Sequence, residues 1–438
     1  MTRLGYLTVL LLLVLADLAL AQAGGGSSSF GGGGGGGGGS FGGGGGGSVG
    51  GGGSGSGTAS FASFLLVFGI VGLVFLLVAV KSVQYRIKLK RREETVHTAS
   101  AEAAEDDAYF AGEELEKEAA RLFTEAQTAW DGRDRKQLAR LVGDDLLIEW
   151  ARRLDDFDRK GWHNRVQVLA PPEIQYVGIV NREDDDDDRA VVRISASLRS
   201  YVQDELGHKV LRTGAKTDLM SLTEYWTLAR RDGRWIVASI EQRAEGDHHL
   251  DSEIVASPWS GQRIADEALT ELAVEDGLPP GFTTADLADF DFEGDARAQA
   301  LDISLADGRF APDVLEASAR RAVAAWSEAV DGEDAPLQAL ASEPALNELL
   351  YGGDASRRTR LVVRGPRVQR ISVAAVHPES QPATMTIDVE LGGRRYAENR
   401  DTAAVVAGDK NSATTFTERW TLALEGPVEA PWRIVAVA

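Results

Sequence analysis

The sequence predicts an α+β protein. Two tandem cone-shaped domains, each with helices packed on a curved antiparallel sheet, follow one transmembrane helix and a disordered Gly-rich segment. Three observations carry this reading. The stretch LTEYWTLARRDGRWIV at 222–237 nearly recurs as FTERWTLALEGPVEAPWRIV at 416–435. Within each copy, apolar residues pass from three- and four-residue steps to strict alternation, the change from helix to strand. Finally, Phe61–Val80 is a mostly apolar run without a charge, long enough to cross a hydrocarbon layer as a helix.

The recurrence is more than one hairpin. At the offset that aligns Trp226 with Trp420, Pro172-Glu-Ile-Gln-Tyr-Val also aligns with Pro366-Arg-Val-Gln-Arg-Ile. Further upstream, Trp130-Asp-Gly-Arg-Asp aligns with Val330-Asp-Gly-Glu-Asp at a slightly different offset. Three anchors in one order indicate duplication, so related α+β domains are expected at 112–243 and 312–438, joined by a connector at 244–311 with a short helix near Arg263–Val274.

In the first copy, Leu115, Ala119, Leu122, Phe123, Ala126 and Trp130 place a helix over Glu113–Trp130. Asp131-Gly132 should stop it, with Gly132 in a left-handed cap. Shorter helices are expected at Lys136–Val142 and Asp145–Leu154. Alternation then predicts strands at Ile174–Val180, Ala190–Val202, Leu219–Arg230 and Trp235–Gln242, the last two joined by a tight turn at Asp232-Gly233. The second copy repeats this with a helix at Asp313–Val330, a stop at Asp331-Gly332 and a longer hairpin loop at Glu425–Pro431.

The N-terminal region reads as export and anchorage. Residues 1–23 resemble a signal peptide: Arg3 precedes the apolar Val9–Ala16, and small residues follow at Ala19, Ala21 and Ala23. Residues 24–60, almost all Gly and Ser, cannot bury enough apolar surface to offset their ordering entropy and are expected to be disordered and extracytoplasmic. The span at 61–80 leads into a basic juxtamembrane segment and linker at 81–111. Lys81, Arg86, Lys88, Lys90, Arg91 and Arg92 are its candidate lipid head-group contacts. This basic flank predicts a single-pass bacterial inner-membrane protein with cytoplasmic C-terminal domains. The net charge of −21 argues against nucleic acid as a partner, and the absence of cysteine excludes disulfides, thiolate metal sites and a Cys nucleophile.

The helical start FTEAQTAWDGRDRKQLARLVGDDLLIEW (123–150), the Pro-led strand and TEYWTLARRDGRWIV together resemble the Tim44-like domain family, with the second copy a degenerate relative. The family takes its name from the peripheral subunit that tethers the motor to the mitochondrial inner-membrane protein translocase. The resemblance implies a nuclear-transport-factor-two-like conical fold and a non-enzymatic domain working at a membrane through lipid or protein contacts. The Gly-rich segment and the duplication depart from that subunit.

Glu224 and Glu418, with Trp226 and Trp420, are the candidate pocket residues. Alternation puts each Glu on the apolar face of its strand, where a buried carboxylate acquires a raised pKa suited to proton transfer. Held by an Arg or an indole N–H, the same carboxylate is structural. Asp184–Asp188 lacks the spacing of a calcium loop and reads as a solvated hairpin tip. His248 and His249 lie among acids in EGDHHLDSE at 245–253, a zinc-like donor set. Adjacent histidines ordinarily diverge, so the stretch is read as the start of the connector. Trp259 in Ser257-Pro-Trp-Ser is a candidate docking anchor.

No catalytic residue, cofactor or metal ligand is assigned. The reading that follows is a membrane-tethered binding or scaffold protein linked to protein translocation, engaging protein, lipid or a hydrophobic ligand. The alternative is an enzyme or small-ligand-binding protein using Glu224 or Glu418.

Overall fold

The computed structural model describes residues 60–210, 218–260, 268, 290–292, 307–329, 334–426 and 430–438. The expected signal peptide, the Gly-rich segment up to residue 59, nearly all of the connector helix and the stop at Asp331-Gly332 lie outside these residues.

The described chain opens with α1 (Ser60–Asp106), one continuous helix of 47 residues. Among the described residues no helix is long and apolar enough to cross a membrane. The expected transmembrane helix at 61–80 is therefore corrected. The single-pass inner-membrane localisation and the lipid partnership that rested on it are corrected with it.

The second half of α1 is an element of the first domain. Leu89, Val96, Ala99 and Ala103 are buried, the last three in the main core of that domain. The basic residues expected at lipid head groups are partly spent on protein instead. Lys88 Nζ lies 2.7 Å from Asp251, and Lys90 faces Glu94 at 3.7 Å. Arg92 donates to the carbonyls of Val177 at 2.6 Å and Ser252 at 2.8 Å. Lys81, Arg86 and Arg91 remain exposed.

A single 3-10 turn at Ala108–Phe110 leads to α2 (Gly112–Asp131), α3 (Arg135–Leu141) and α4 (Asp144–Arg159). Helix α2 buries the apolar positions anticipated for it, from Leu115 through Trp130. Its stop differs in detail. Gly132 stays right-handed at φ −78, and Arg133 takes the left-handed conformation at φ 53. The Arg133 guanidinium is anchored on Asp158 and the Trp162 carbonyl, which compensates a conformation that L-residues avoid.

The sheet comprises β1 (Trp162–Val168), β2 (Glu173–Val180), β3 (Arg189–Asp204), β4 (Lys209–Val210), β5 (Leu219–Arg231) and β6 (Arg234–Gln242). All pairings are antiparallel, in the order β1-β3-β5-β6 with β2 also on β3. The tight turn between β5 and β6 has Asp232 and Gly233 both at positive φ, the type I′ geometry that suits strand twist.

The second unit repeats this plan. Its helices are α5 (Pro312–Glu328), α6 (Ala335–Leu340) and α7 (Glu343–Tyr351). Its strands are β7 (Phe290–Phe292), β8 (Thr359–His377), β9 (Thr384–Asn399), β10 (Val405–Gly408), β11 (Thr414–Leu424) and β12 (Trp432–Val437), ordered β12-β11-β9-β8-β7. The long β8 does the work of β1 and β2 together. Where Pro171-Pro172 breaks the first sheet's edge, a single Pro366 is absorbed by a β-bulge between Arg364 and Arg367.

The structure extends the duplication to a feature the sequence comparison overlooked. The 3-10 turn Ala108–Phe110 has a counterpart at Gly308–Phe310. Phe110 packs edge-on to Trp235, with ring centroids 5.6 Å apart, and Phe310 packs on Trp432 at 5.2 Å. Each indole N–H donates to the turn, to the Tyr109 carbonyl at 3.4 Å and the Arg309 carbonyl at 2.8 Å. These plugs close equivalent ends of the two cones. Phe110→Ala and Phe310→Ala should therefore each destabilise their own domain by about 3–5 kcal/mol, measured by urea unfolding with the indole fluorescence of each domain as reporter.

Candidate functional site

The two anticipated carboxylates lie in equivalent places but meet different partners. Glu224 on β5 is wholly buried and accepts a hydrogen bond from Trp226 Nε1 at 3.0 Å. Glu418 on β11 is buried beside Arg395, whose Nε lies 3.1 Å away. Burial pushes the Glu418 carboxyl up from its ordinary pKa, and Arg395 opposes that shift. Trp226 packs on Phe123 with centroids 5.4 Å apart, and Trp420 on Trp326 at 6.0 Å. Both indoles are buried in the apolar cores of their domains.

Two open surface grooves involve other residues. One, of about 470 Å³, lies between α1 and the Leu250-Asp251 turn. The other, of about 640 Å³, lies between α2 and the corner joining β1 to β2.

The densest arrangement of functional groups is elsewhere, at the seam between the two domains. Strand β6 ends at Glu241-Gln242 and runs into a short helix (Arg243–Gly246) and a 3-10 turn (Asp247–Leu250). Glu245 closes a capping box by accepting from the Gln242 backbone N–H at 3.0 Å, while its other oxygen accepts from the Tyr396 hydroxyl on β9. Burial raises the Glu245 pKa, against Arg364 and Lys410. Gly246 lies against the Tyr225 ring, where a Cβ would collide. The Tyr225 hydroxyl meets that of Tyr85 on α1 at 2.9 Å, and Tyr85 donates to Asp247 at 3.1 Å.

His248 and His249 do not diverge as expected. Their rings stack with centroids 4.0 Å apart, and both direct Nε2 at Glu241, at 2.8 Å for His248 and 3.4 Å for His249. Arg364, from the bulge of β8, approaches the same carboxylate at 3.6 Å. The neighbouring Gly365, at φ 53, lets the backbone of the second domain lie directly on the His248 ring. Burial pushes the Glu241 carboxyl up, but His248, His249 and Arg364 outweigh it and hold it well below the ordinary value.

The seam continues along α4. Arg400 donates to Glu149 at 2.6 Å, with both side chains 9% exposed. Arg152 meets Asp401 at 2.8 Å and Arg153 meets Glu398 at 3.7 Å. Asp145 faces Asp334 and Arg360 across the boundary. Its carboxyl is pushed up to about 6, by burial first and Asp334 second.

Two further donor groups occur among the described residues. Glu93, His97 and Glu116 form one, and Asp107, Asp185 and Asp188 the other. In the acidic run, Asp184–Asp187 are exposed as expected, but Asp188 is buried and accepts from the Tyr109 hydroxyl at 2.7 Å and the Arg182 backbone at 2.7 Å. Trp259 is 76% exposed, with no core of its own.

Comparison with known proteins fits the first domain. Residues 96–242 match the Tim44-like domain family. That match starts inside α1, in agreement with the packing of Val96, Ala99 and Ala103. No curated protein matches the chain. Among solved structures, the intermembrane space region of the chloroplast protein ARC6 is similar at 13% identity, covering 29% of this chain and 96% of that one, with a TM-score of 0.23. An Ntf2-like protein involved in plasmid conjugation is similar at 9% identity, covering 74% and 92%, with a TM-score of 0.18. Both scores are too low to bear on function.

Two outcomes follow from the seam. Arg400→Met alone should cost about 3–5 kcal/mol, because it strands a buried carboxylate, while Glu149→Leu with Arg400→Met should recover most of that loss; urea unfolding of the three variants checks this. Asp145 holds its proton to a higher pH folded than unfolded. Its stabilising contribution is therefore complete below the unfolded value of 3.8 and disappears as pH rises through about 6. Melting temperatures measured between those pH values and neutrality should fall more steeply for the native chain than for Asp145→Asn.

Proposed function

We propose that this chain is a non-enzymatic protein-binding module, its two cones held as one body by the polar seam. The observation that carries this reading is the state of Glu224 and Glu418. Each is buried in a core filled by Trp, and each faces a donor, the Trp226 indole or Arg395. A general acid or base needs a substrate proton within hydrogen-bond reach, and neither carboxylate borders the two surface grooves. The match of residues 96–242 to the Tim44-like domain supports the same reading.

The groove between α2 and the β1–β2 corner is the binding surface proposed. Ala120, Val168, Leu169, Pro171 and Pro172 supply an apolar floor, and Arg121 and Glu125 flank it. Leu169 is 43% exposed. The prolines deny this corner a strand partner, so its apolar side chains stand open to an incoming segment. With the chain at −21, a partner carrying basic residues around an apolar anchor is favoured.

A photo-crosslinking residue at position 169 should capture a discrete protein adduct in cells of the source organism, lost when Ala120→Glu blocks the groove. The same residue placed at exposed position 136 should not capture it. Equal capture at both positions, or a turnover activity abolished by Glu224→Gln, would overturn the proposal.

A further inference from the structure

We infer that Glu241, His248 and His249 form a binding site for one divalent transition-metal ion of the zinc class. Their donor atoms all lie within 4.8 Å of one another. In a tetrahedral zinc site with bonds of about 2.0–2.1 Å, neighbouring donors stand roughly 3.3 Å apart. The carboxylate-to-imidazole distances of 2.8 and 3.4 Å bracket that spacing, so small side-chain shifts would admit the ion.

The second observation is His249 Nε2. It is buried, it points at Glu241, and it has no hydrogen-bond partner among the described residues. The 3.4 Å approach to Glu241 has the distance of an ion pair without the geometry of a hydrogen bond. An imidazole nitrogen left in this state normally costs free energy. Two imidazoles and a carboxylate suit zinc, nickel or cobalt better than calcium or magnesium, which require oxygen shells. His248, with its side chain 18% exposed, gives the ion a way in.

Arg364 makes the site responsive to the second domain. Its guanidinium stands 3.6 Å from the oxygen of Glu241 that lies nearest His249. A cation arriving there competes with Arg364 for the same carboxylate. Metal binding and the seam contact are therefore antagonistic, and each weakens the other by the same factor. The inference does not depend on the partner-binding proposal, since it concerns different residues and a different ligand.

The test uses the full chain, stripped with chelator and titrated with Co²⁺ as an optical probe and Zn²⁺ by calorimetry. One ion per chain is expected, with the visible bands of low-coordinate cobalt. His249→Gln and Glu241→Gln should weaken binding at least tenfold, whereas Arg364→Leu should tighten it several-fold. His97→Ala, at the exposed Glu93–Glu116 cluster, should leave affinity unchanged. X-ray absorption of the zinc-loaded native chain needs no variant and should count two imidazoles with oxygen ligands. A first shell with fewer than two imidazoles, binding lost in His97→Ala but kept in His249→Gln, or no stoichiometric binding would overturn the inference.

Discussion

A sheet has two faces, and the architecture answers the need to cover both faces twice. In each domain the inner face closes on a long helix, with Trp226 or Trp420 at its centre. The outer face of the first sheet carries Val177, Val191 and Tyr225, apolar groups that water would destabilise. Helix α1 and the turn at 247–250 cover them. The outer face of the second sheet presents Val362 and Tyr396, and the Tyr396 hydroxyl meets Glu245 in the helical turn just before that segment. One short segment after β6 therefore serves two sheets, and its crowding accounts for Gly246 and Gly365.

That shared cover is polar because the two outer faces are polar at their margins. Glu245 and Glu149 are taken out of water where Tyr396 and Arg400 meet them, and Glu241 where His248, His249 and Arg364 do. Such pairs add less net stability than apolar packing of the same volume, but they penalise any arrangement that leaves one member alone. The seam is thus better suited to fixing how the domains meet than to strengthening them. The donor set of Glu241, His248 and His249 sits where that fixing is done.

Much of the fold was legible in the sequence. Alternation around Trp226 and Trp420 located β5 and β11, and the helical spacing from Leu115 to Trp130 located α2, because both patterns record one buried face. The role of α1 was not legible. Its apolar start read as a membrane span and its basic middle as a lipid collar, although Leu89, Val96, Ala99 and Ala103 already lie at helical steps. Nor was β8 legible through Pro366, since a bulge is set by tertiary pairing.

For the candidate site, the carboxylates Glu224 and Glu418 were placed on the correct faces, but what fills a cone depends on the facing helix. Glu241 went unremarked because its partners come from a turn seven residues later and a strand in another domain. A signal was available on α4, where Glu149 and Arg153 occupy the apolar-spaced positions shared with Leu146, Trp150 and Leu154. Polar residues on an otherwise buried face announce a partner that the local sequence cannot name.

The bond between Glu149 and Arg400 joins residues 251 positions apart. During synthesis the first domain has all its strands long before Arg400 leaves the ribosome. At several residues per second, that interval lasts tens of seconds. Through it, Glu149 lacks Arg400, Glu245 lacks Tyr396 and Glu241 lacks Arg364, so the unfinished surface carries polar groups that water can reach. A seam made of such groups keeps the waiting half-molecule dissolved, where an apolar seam of equal area would invite association with its neighbours.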